Sequence, residues 1–337
     1  SICNEISGKP LDEIFKQWVH TTKHADYKLS RFKVKSTPKG YDADVKIERK
    51  GELMMPLTLA FRLKNGNTVA ERLDGESRTI EKSFSFDAKP VSAAVNPDNE
   101  ILDIHEIDNY SPRRRDFTLD VPFNTYYPRD AFSYRVLPIG YYNDVDGGKL
   151  GLRLRGSYDN YYDKFTIQGL YGFESETVDA YGSYERPLGY FGLDAAIRAE
   201  AFYREGRQGG QLDLTKIRRK SLYDPLAQHL SLFIGYRELT DTAYVFPDTY
   251  EEGKDVYAGI GLSMYPKTDI FETAASLSFA GSIWGSDFDY QKTTMSVKFR
   301  PGIRVPSPVK PYLRFFWGRT SVDPPLQTRF ALAGANM

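Results

Sequence analysis

The sequence predicts a mainly β protein: a short N-terminal helix, a small β-sandwich, and then an incomplete transmembrane antiparallel β-barrel of about eleven or twelve strands. Short alternating runs separated by turn residues predict the sandwich, and longer alternating runs predict the barrel. Composition divides the chain in the same way, because only 10 of the 48 aromatic residues and 5 of the 27 glycines lie in residues 1–120. We expect the boundary within residues 109–127, where prolines and a run of three arginines interrupt the alternation.

Charge and hydropathy exclude several classes of protein. The 45 Lys and Arg residues equal the 45 Asp and Glu residues, and they balance within residues 1–120 as well as within residues 121–337, which argues against nucleic acid as a partner. No apolar run reaches the roughly 18–20 residues of a membrane-spanning helix. Mean hydropathy is −0.49, a value that alternating membrane strands also give. The single cysteine, Cys3, excludes a disulfide framework and a cysteine-cluster metal site.

Residues 7–22 are predicted to form one amphipathic helix. Ser7 is suited to cap it, and Pro10 lies near the first turn, where its missing N–H does no harm. The apolar residues fall on one helical stripe, which must pack against the following strands or against protein before residue 1. They are Leu11, Ile14, Phe15, Trp18 and Val19.

Seven short runs with a period of two follow the helix and predict a β-sandwich. Turn signals such as Asn65-Gly66 and Asp74-Gly75 separate them. The predicted strands cover residues 27–35, 40–50, 57–63, 68–73, 79–86, 91–95 and 101–107.

The residues around the sandwich resemble the part of aminopeptidase-N-like (gluzincin) metallopeptidases that follows the catalytic domain. In that family a G-x-x-L-x-x-x-F-x-x-W helix leads into a small β-sandwich, which ends in a D-P-x-x-x-x-L-D strand. The matching residues here are Gly8, Leu11, Phe15 and Trp18, and residues 96–103 read NPDNEILD. The resemblance covers residues 5–110 and implies a zinc-dependent catalytic domain before residue 1.

The zinc site of that family is not in this sequence. Such a site needs an H-E-x-x-H helix and a further Glu, because two His one turn apart and a carboxylate leave one zinc position open for water. His20 and His24 have the right spacing, but Thr21 stands where the general base is needed, and we interpret both His as exposed. His105 and His229 are isolated in the sequence. We therefore predict no catalytic, cofactor-binding or metal residue in this chain, with zinc implied only for the preceding domain.

After residue 130 the alternating runs lengthen to about ten residues, the length that a tilted strand needs to cross a bilayer. In the first clear run, Leu150, Leu152 and Leu154 alternate with Arg153 and Arg155. Five further runs likewise keep all their charged residues on one side. Alternation of this kind predicts one lipid-facing and one water-facing side for each strand.

We count about eleven strands between residues 133 and 321 and expect a twelfth to begin near Gln327. Short turns on one rim and long loops on the other are expected, with residues 240–255 as the clearest long loop. A soluble all-β domain, such as a carbohydrate-binding module, is the alternative. The strand length and the Tyr and Trp residues near the strand ends favour a membrane barrel.

The charged side of each strand is predicted to face the lumen, because an Arg or Lys at the bilayer midplane costs about 2–4 kcal/mol on the lipid side. We interpret these charges as part of a hydrated interior, paired with Asp194, Glu200 and Glu272, in preference to a selectivity filter. The residues predicted to line the lumen are Arg153, Arg155, Arg198, Arg237, Lys298, Arg300 and Arg314.

The last residues resemble a segment of bacterial surface-antigen barrels of the outer-membrane assembly-factor superfamily. Residues 323–334, DPPLQTRFALAG, correspond to a P-P-x-x-x-F-x-L-G-G pattern, with Ala333 in place of the usual Gly. In that superfamily the pattern precedes a loop with an R-G-[YF] motif. The resemblance implies that further barrel strands follow, so we expect the chain to be a fragment.

These features together predict four regions: a trailing helix (residues 1–24), a sandwich (25–110), a linker (111–130) and a truncated outer-membrane barrel (131–337). The predicted function is the anchoring barrel and accessory sandwich of an outer-membrane zinc metallopeptidase. The alternative is an outer-membrane transport or assembly barrel with a periplasmic sandwich. Expected partners are outer-membrane lipid and a peptide or polypeptide. The expected location is the bacterial outer membrane, with the sandwich in the periplasm.

Overall fold

The computed structural model describes residues 5–6, 8, 12–192, 194–221, 224, 226–246, 249–266, 271–301, 313–321 and 324–330. It is mainly β, with small N-terminal sheets followed by a twelve-stranded, largely antiparallel sheet. The chain divides into two compact units. The first comprises Ser1–Thr118 and Thr125–Tyr134, and the second comprises Leu119–Asn124 and Arg135–Met337.

The N-terminal helix α1 spans Asp12–Val19 and therefore ends before the predicted boundary at residue 22. The indole nitrogen of Trp18 lies 3.2 Å from the sulfur of Met55, so this end of the helix packs on the sandwich. Val19 is 66% exposed, which contradicts its expected place on a buried stripe. The prediction also rested on Ser7, Pro10, Leu11 and the side chains of Ile14 and Phe15, which lie outside the described residues.

Two small antiparallel sheets share one apolar core and form the sandwich. Phe61 lies at its centre, 1% exposed, and its ring centroid is 4.9 Å from those of both Phe84 and Phe86. The strands are β1 (Tyr27–Thr37), β2 (Gly40–Arg49), β3 (Leu57–Leu63), β4 (Thr68–Leu73), β5 (Thr79–Phe86), β6 (Pro90–Val95) and β7 (Tyr110–Ser111). One sheet has the order β1-β2-β5 and the other the order β4-β3-β6-β7.

The first six predicted sandwich strands are confirmed, but the strand predicted over residues 101–107 is wrong. This segment forms one isolated bridge, between Ala25 and Asp103, and then a 3-10 turn at Glu106–Asn109. The Asp103 carboxylate accepts hydrogen bonds from the backbone N–H groups of Tyr27 at 3.0 Å and of His105 at 2.9 Å. A side chain that takes up main-chain donors in this way competes with a strand ladder.

Each strand of the large sheet pairs with its neighbours in the sequence, so the order in space is the order in the chain. The strands are β8 (Arg114–Leu119), β9 (Ala131–Asn143), β10 (Gly147–Tyr158), β11 (Tyr162–Gly172), β12 (Val178–Pro187), β13 (Ala195–Arg204), β14 (Arg207–Arg218), β15 (Gln228–Leu239), β16 (Lys254–Met264), β17 (Phe271–Ser282), β18 (Gln291–Pro301) and β19 (Leu313–Thr320).

The eleven strands predicted after residue 130 are confirmed as β9–β19. The twelfth strand of the sheet is β8, which lies within the stretch predicted as a linker. A further strand is expected from the sequence to begin near Gln327, but Leu326–Thr328 form a 3-10 turn, and residues 331–337 lie outside the described residues. Within the described residues the sheet is open, with β8 and β19 at its two edges, and it does not close into a barrel.

The connections between β9 and β19 alternate between two rims of the antiparallel sheet. They have 2 to 14 residues at one rim and 3 to 11 at the other, so the expected contrast between short turns and long loops is wrong. The long connection expected after Thr240 is confirmed between β15 and β16. No helix in the described part of the chain is long and apolar enough to span a membrane.

Candidate functional site

The register of the large sheet brings its aliphatic residues onto one face. Leu212 pairs with Ile234, and Ile234 pairs in turn with Ala258 on the next strand. We call this side the apolar face. It comprises every second residue from 150 to 156, 165 to 171, 178 to 184, 195 to 203, 208 to 214, 230 to 236, 256 to 264, 273 to 281, 293 to 299 and 313 to 317.

No position within these central ranges holds Asp, Glu, Lys, Arg or His. Closer to the strand ends, the same side carries charged residues: Arg186, Lys216, Arg218, Glu238, Lys254 and Arg319. Its large side chains are nevertheless exposed: 62% for Leu150, 45% for Leu232 and 50% for Leu277. An apolar sheet face in a soluble protein is normally packed on a core. An uncharged, exposed surface that continues across ten strands instead marks an interaction surface.

The opposite side of β10–β19, here called the polar face, carries twelve Lys or Arg and six Asp or Glu residues. The predicted division of charged and aliphatic residues between two faces is therefore confirmed for the central part of the strands. That the polar face bounds a lumen stays a prediction. All seven residues predicted to line the lumen lie on it: Arg153, Arg155, Arg198, Arg237, Lys298, Arg300 and Arg314.

Two of the three expected carboxylate partners are found beside these cations. Arg198 lies 3.0 Å from Glu200, and Arg300 lies 3.4 Å from Glu272. Asp194 instead accepts a hydrogen bond from the Nε of Arg219 at 2.7 Å. Since Arg219 immediately follows β14, this third pair stabilises a connection at the end of the sheet.

Sequence reasoning missed two carboxylates that hold other cations of the polar face. Asp120 lies 3.0 Å from Arg153 and 3.3 Å from Arg155. Asp255, which is fully buried, lies 2.6 Å from Arg237 on the neighbouring strand. Neither carboxylate could be assigned from the sequence. Asp120 lies before the long strands begin. Asp255 follows a 14-residue connection, so its position opposite Arg237 depends on a register that the sequence does not reveal.

The remaining two predicted lumen residues lie directly opposite each other. Lys298 of β18 and Arg314 of β19 are cross-strand partners. The Arg314 guanidinium lies over the ring of Phe316, 5.7 Å from its centroid. Like charges in register repel each other, so this corner of the polar face is electropositive.

A fully buried lysine joins several connections at one rim of the sheet. Lys149 forms ion pairs with Asp146 and with Asp179, the latter at 2.5 Å. Asp146 also accepts hydrogen bonds from the hydroxyls of Tyr244 at 2.6 Å and Ser175 at 2.5 Å. Three connections thus meet at one carboxylate. The sequence gives no signal for this, because Asp146 and Tyr244 are 98 residues apart.

The two rims of the sheet differ in charge. The connections 144–146, 173–177, 205–206, 240–253 and 283–290 emerge at one rim, and their sequence contains eleven Asp or Glu and no Lys or Arg. We call this the acidic rim. The connections at the opposite rim contain five Lys or Arg and four Asp or Glu. Charge, more than length, therefore distinguishes the rims.

Residues 324–330, which belong to the pattern at the end of the sequence, lie against the polar face. The Lys292 ammonium donates to the carbonyl of Thr328 at 2.7 Å and lies 4.6 Å from the centroid of Phe330. Phe330 also packs on Phe316 of β19, with 5.6 Å between centroids. This segment therefore covers part of the polar face near the acidic rim.

The aromatic residues expected at strand ends divide into two groups. Tyr203 and Trp317 lie on the apolar face and are 52% and 45% exposed. Trp284, in a connection of the acidic rim, is 98% exposed. Tyr158 and Tyr290 are each 3% exposed, so these two belong to the interior.

In the part of the chain that the structure describes, no group of three or more His, Cys, Asp or Glu residues is arranged to hold a metal ion. His24 lies 3.7 Å from Glu52, and His105 lies 3.3 Å from Asp108. The hydrogen bond to Asp108 raises the pKa of His105 above its ordinary value. Burial, together with the charges of Asp103 and Asp108, raises the pKa of Asp26 to about 6.

The geometry thus offers two surfaces, one apolar and one basic. Comparison with protein-family models, with curated proteins and with solved structures returned no match.

Proposed function

We propose that the twelve-stranded sheet is embedded in a bacterial outer membrane through its apolar face, and that this chain anchors its protein there. The observation that carries the proposal is the absence of charge at the central positions of that side from β10 to β19, since its charged residues lie only near the strand ends. Because an Arg or Lys at the bilayer midplane costs about 2–4 kcal/mol, a lipid-facing surface must be free of charge at this depth.

Strand length supports the same proposal. Ten of the eleven strands from β9 to β19 have 10 to 13 residues. A strand tilted by about 45° needs roughly 9–11 residues to cross the hydrocarbon core, whereas strands of soluble proteins average about 5–6. The exposed Tyr203, next to the end of β13 on the apolar face, fits an aromatic belt at a membrane interface.

The experiment places one positive charge on each face in turn. Leu232→Arg changes the apolar face, and Ser231→Arg changes the polar face one residue away on β15. In lipid vesicles we expect Leu232→Arg to lower the free energy of unfolding by about 2–4 kcal/mol, measured by urea titration, and Ser231→Arg to lower it far less.

The same pair of variants distinguishes a soluble protein. Leu232 is 45% exposed, so in water its replacement by Arg is a surface substitution that changes stability by roughly 0.5 kcal/mol at most. Equal tolerance of both variants, together with monomeric behaviour without detergent, would sink the proposal. Quenching of Trp317 fluorescence by brominated lipid, with Trp284 quenched less, supplies an independent test of insertion.

For the parent protein we propose a zinc metallopeptidase whose catalytic domain precedes this chain. Support comes from the sequence resemblance over residues 5–110 and from a small sandwich in the expected place. The test is to measure chelator-sensitive hydrolysis of aminoacyl substrates by the complete gene product. An open reading frame that encodes no H-E-x-x-H upstream of Ser1 contradicts this second step and leaves the anchoring proposal untouched.

A transport barrel is the second candidate, and the charge of the polar face favours it. Twelve basic against six acidic residues would attract anions into a water-filled interior. Insertion of the complete protein into planar bilayers should then give anion-preferring conductance. A tight, non-conducting barrel argues for a purely anchoring role.

A further inference from the structure

We propose that a cavity beside Arg204 on the polar face binds an oxyanion group, either a carboxylate or a phosphate. The inference concerns binding by the folded chain and does not depend on whether the apolar face lies in lipid. It rests on the lining of the cavity, on the partners of its arginines and on the charge of the surrounding face.

The cavity has a volume of about 140 Å³ and lies where β13, β14 and β15 end at the acidic rim. Three arginines, Arg204, Arg207 and Arg237, line it together with Tyr250 and Gln327. Since a water molecule occupies about 30 Å³, the space suits one carboxylate or phosphate group and is too small for a drug-sized ligand.

Two of these arginines already have carboxylate partners. Arg207 lies 3.1 Å from Glu205, and Arg237 lies 2.6 Å from Asp255. The one carboxylate of the lining, Glu238, accepts hydrogen bonds from the side chains of Gln208 at 2.7 Å and of Tyr236. These groups are therefore satisfied within the protein.

Arg204 differs from its neighbours, because among the described residues it has no carboxylate within ion-pair distance. Its guanidinium lies over two rings, 5.6 Å from the centroid of Tyr181 and 5.5 Å from that of Phe202. Stacking on rings orients the planar guanidinium and leaves its N–H donors available at the edge. A planar fork of this kind matches the two oxygens of a carboxylate or phosphate.

Arg204 also lines a second cavity of about 240 Å³, together with Asp179, Glu205 and Tyr141. The two cavities differ in charge, since one is rich in arginine and the other contains two carboxylates. Both carboxylates are already paired, Asp179 with Lys149 at 2.5 Å and Glu205 with Arg207 at 3.1 Å. The described lining of the second cavity therefore offers no further free cation to an oxyanion.

The surrounding charge strengthens the site. The polar face has six more basic than acidic residues, whereas the rim above it is acidic. An anion that passes the rim gains attraction only when it reaches the polar face. Arg204 itself is exposed, so the strength of the site depends on the planar fork of its guanidinium and on the basic surroundings more than on exclusion of water.

The test measures binding of inorganic phosphate and of succinate to the full chain in detergent, by calorimetry at constant ionic strength. We expect saturable binding of at least one anion. Arg204→Gln should weaken it about tenfold or more, because a hydrogen-bonded charge pair is lost. Arg204→Lys should weaken it by a smaller factor, since the charge remains but the planar fork does not.

Arg198→Gln is the matched control. It lies six residues earlier on the polar side of the same strand, it is already paired with Glu200, and it lines neither cavity. Binding should therefore change less than twofold. Loss with phosphate alone assigns the site to phosphate groups, and loss with succinate alone assigns it to carboxylates. Equal weakening in both Gln variants, or no saturable binding of either anion to the wild-type chain, overturns the proposal.

Discussion

The sandwich and the twelve-stranded sheet use the same alternating pattern with opposite results. In the sandwich the aliphatic residues are buried, with Leu57 and Leu59 both at 0% exposure. In the large sheet the aliphatic residues of the apolar face are exposed, and the fully buried side chains include Lys149, Asp146 and Asp255. The sandwich buries apolar side chains, whereas the large sheet buries charged ones.

The difference teaches what an alternating pattern can and cannot specify. A period of two assigns each residue to one of two faces, but it does not say which face meets water. In the sandwich a second sheet covers the apolar side. In the large sheet the polar side carries the hydrogen bonds and ion pairs that normally lie on a surface. The following variants test this inversion, from the largest expected effect to the smallest.

Removing the buried charge from the large sheet should have the largest effect. Lys149→Met leaves Asp146 and Asp179 buried without their cation, which should lower the free energy of unfolding by about 3–5 kcal/mol. Urea unfolding monitored by circular dichroism measures this loss. Lys164→Met is the control, because Lys164 is half-exposed and lies 3.8 Å from Glu185. If the two variants lower the free energy of unfolding by similar amounts, the buried ion pairs of Lys149 contribute no more than an exposed one, which contradicts the prediction.

Truncating an aromatic ring tests the opposite arrangement in the sandwich. Phe61→Ala removes a fully buried ring between the two small sheets and should cost about 3–5 kcal/mol. Phe315→Ala, on the apolar face, removes a ring that is 58% exposed and should cost less than half as much. Hydrogen-exchange rates measured in β3 and in β19 report the loss of stability caused by Phe61→Ala and by Phe315→Ala separately. A larger loss at β19 contradicts the proposed difference between the units.

A pH-dependent effect is expected at Asp26, near the end of the sandwich. Its pKa is raised to about 6 in the folded state, so the folded carboxyl keeps a proton that the unfolded chain loses near pH 4. Stability therefore falls as the pH rises from about 4 to about 6, and the penalty persists above that range.

Asp26→Asn should remove this penalty. After allowance for the partial exposure of Asp26, we expect stabilisation on the order of 1 kcal/mol at pH 8 and a smaller change at pH 4. Thermal unfolding at the two pH values, with hydrogen exchange in β1 as a local readout, checks the sign. A greater gain at pH 4 than at pH 8 would contradict the assignment.

The smallest effect is expected from an exposed ion pair on the sandwich. Lys35 lies 2.8 Å from Asp44, but its side chain is 69% exposed. Lys35→Ala should therefore lower the denaturant midpoint only slightly, and by less at high salt. Asp120→Asn, which removes the shared partner of Arg153 and Arg155, should cost more, because the Asp120 side chain is only 11% exposed. Denaturant midpoints at low and high salt give both values.

Much of the fold follows from the sequence because local patterns dominate it. Strand limits at Leu57, Leu63, Thr79 and Phe86 agree with the turn residues around them. The strand predicted over 101–107 is wrong for a physical reason. The Asp103 carboxylate accepts one hydrogen bond from the nearby His105 N–H and another from Tyr27 of β1, which is 76 residues away in the sequence. Alternation cannot detect a competing side-chain acceptor of this kind.

The candidate site was only partly predictable for a related reason. Alternation assigned Arg153, Arg198 and Arg237 to one face, because face membership is a local property. It could not identify Asp120 or Asp255 as partners, nor single out Arg204, because these depend on the register of neighbouring strands and on where the connections fold. Closure of the sheet also lies beyond local patterns, and in the described residues the sheet remains open.

The strictly sequential strand order has a consequence for folding kinetics. Every strand of the large sheet can pair as soon as its predecessor is in place, and each pairing closes a loop of at most 14 residues from β9 onward. In the sandwich, β2 pairs with β5 and β3 pairs with β6, although other strands lie between them in the sequence. Longer loops must therefore close before these contacts can form. The large sheet can therefore form by adding one hairpin after another, in the order of synthesis. The sandwich has the better-buried core, but it depends on contacts between distant segments and should fold more slowly for its size.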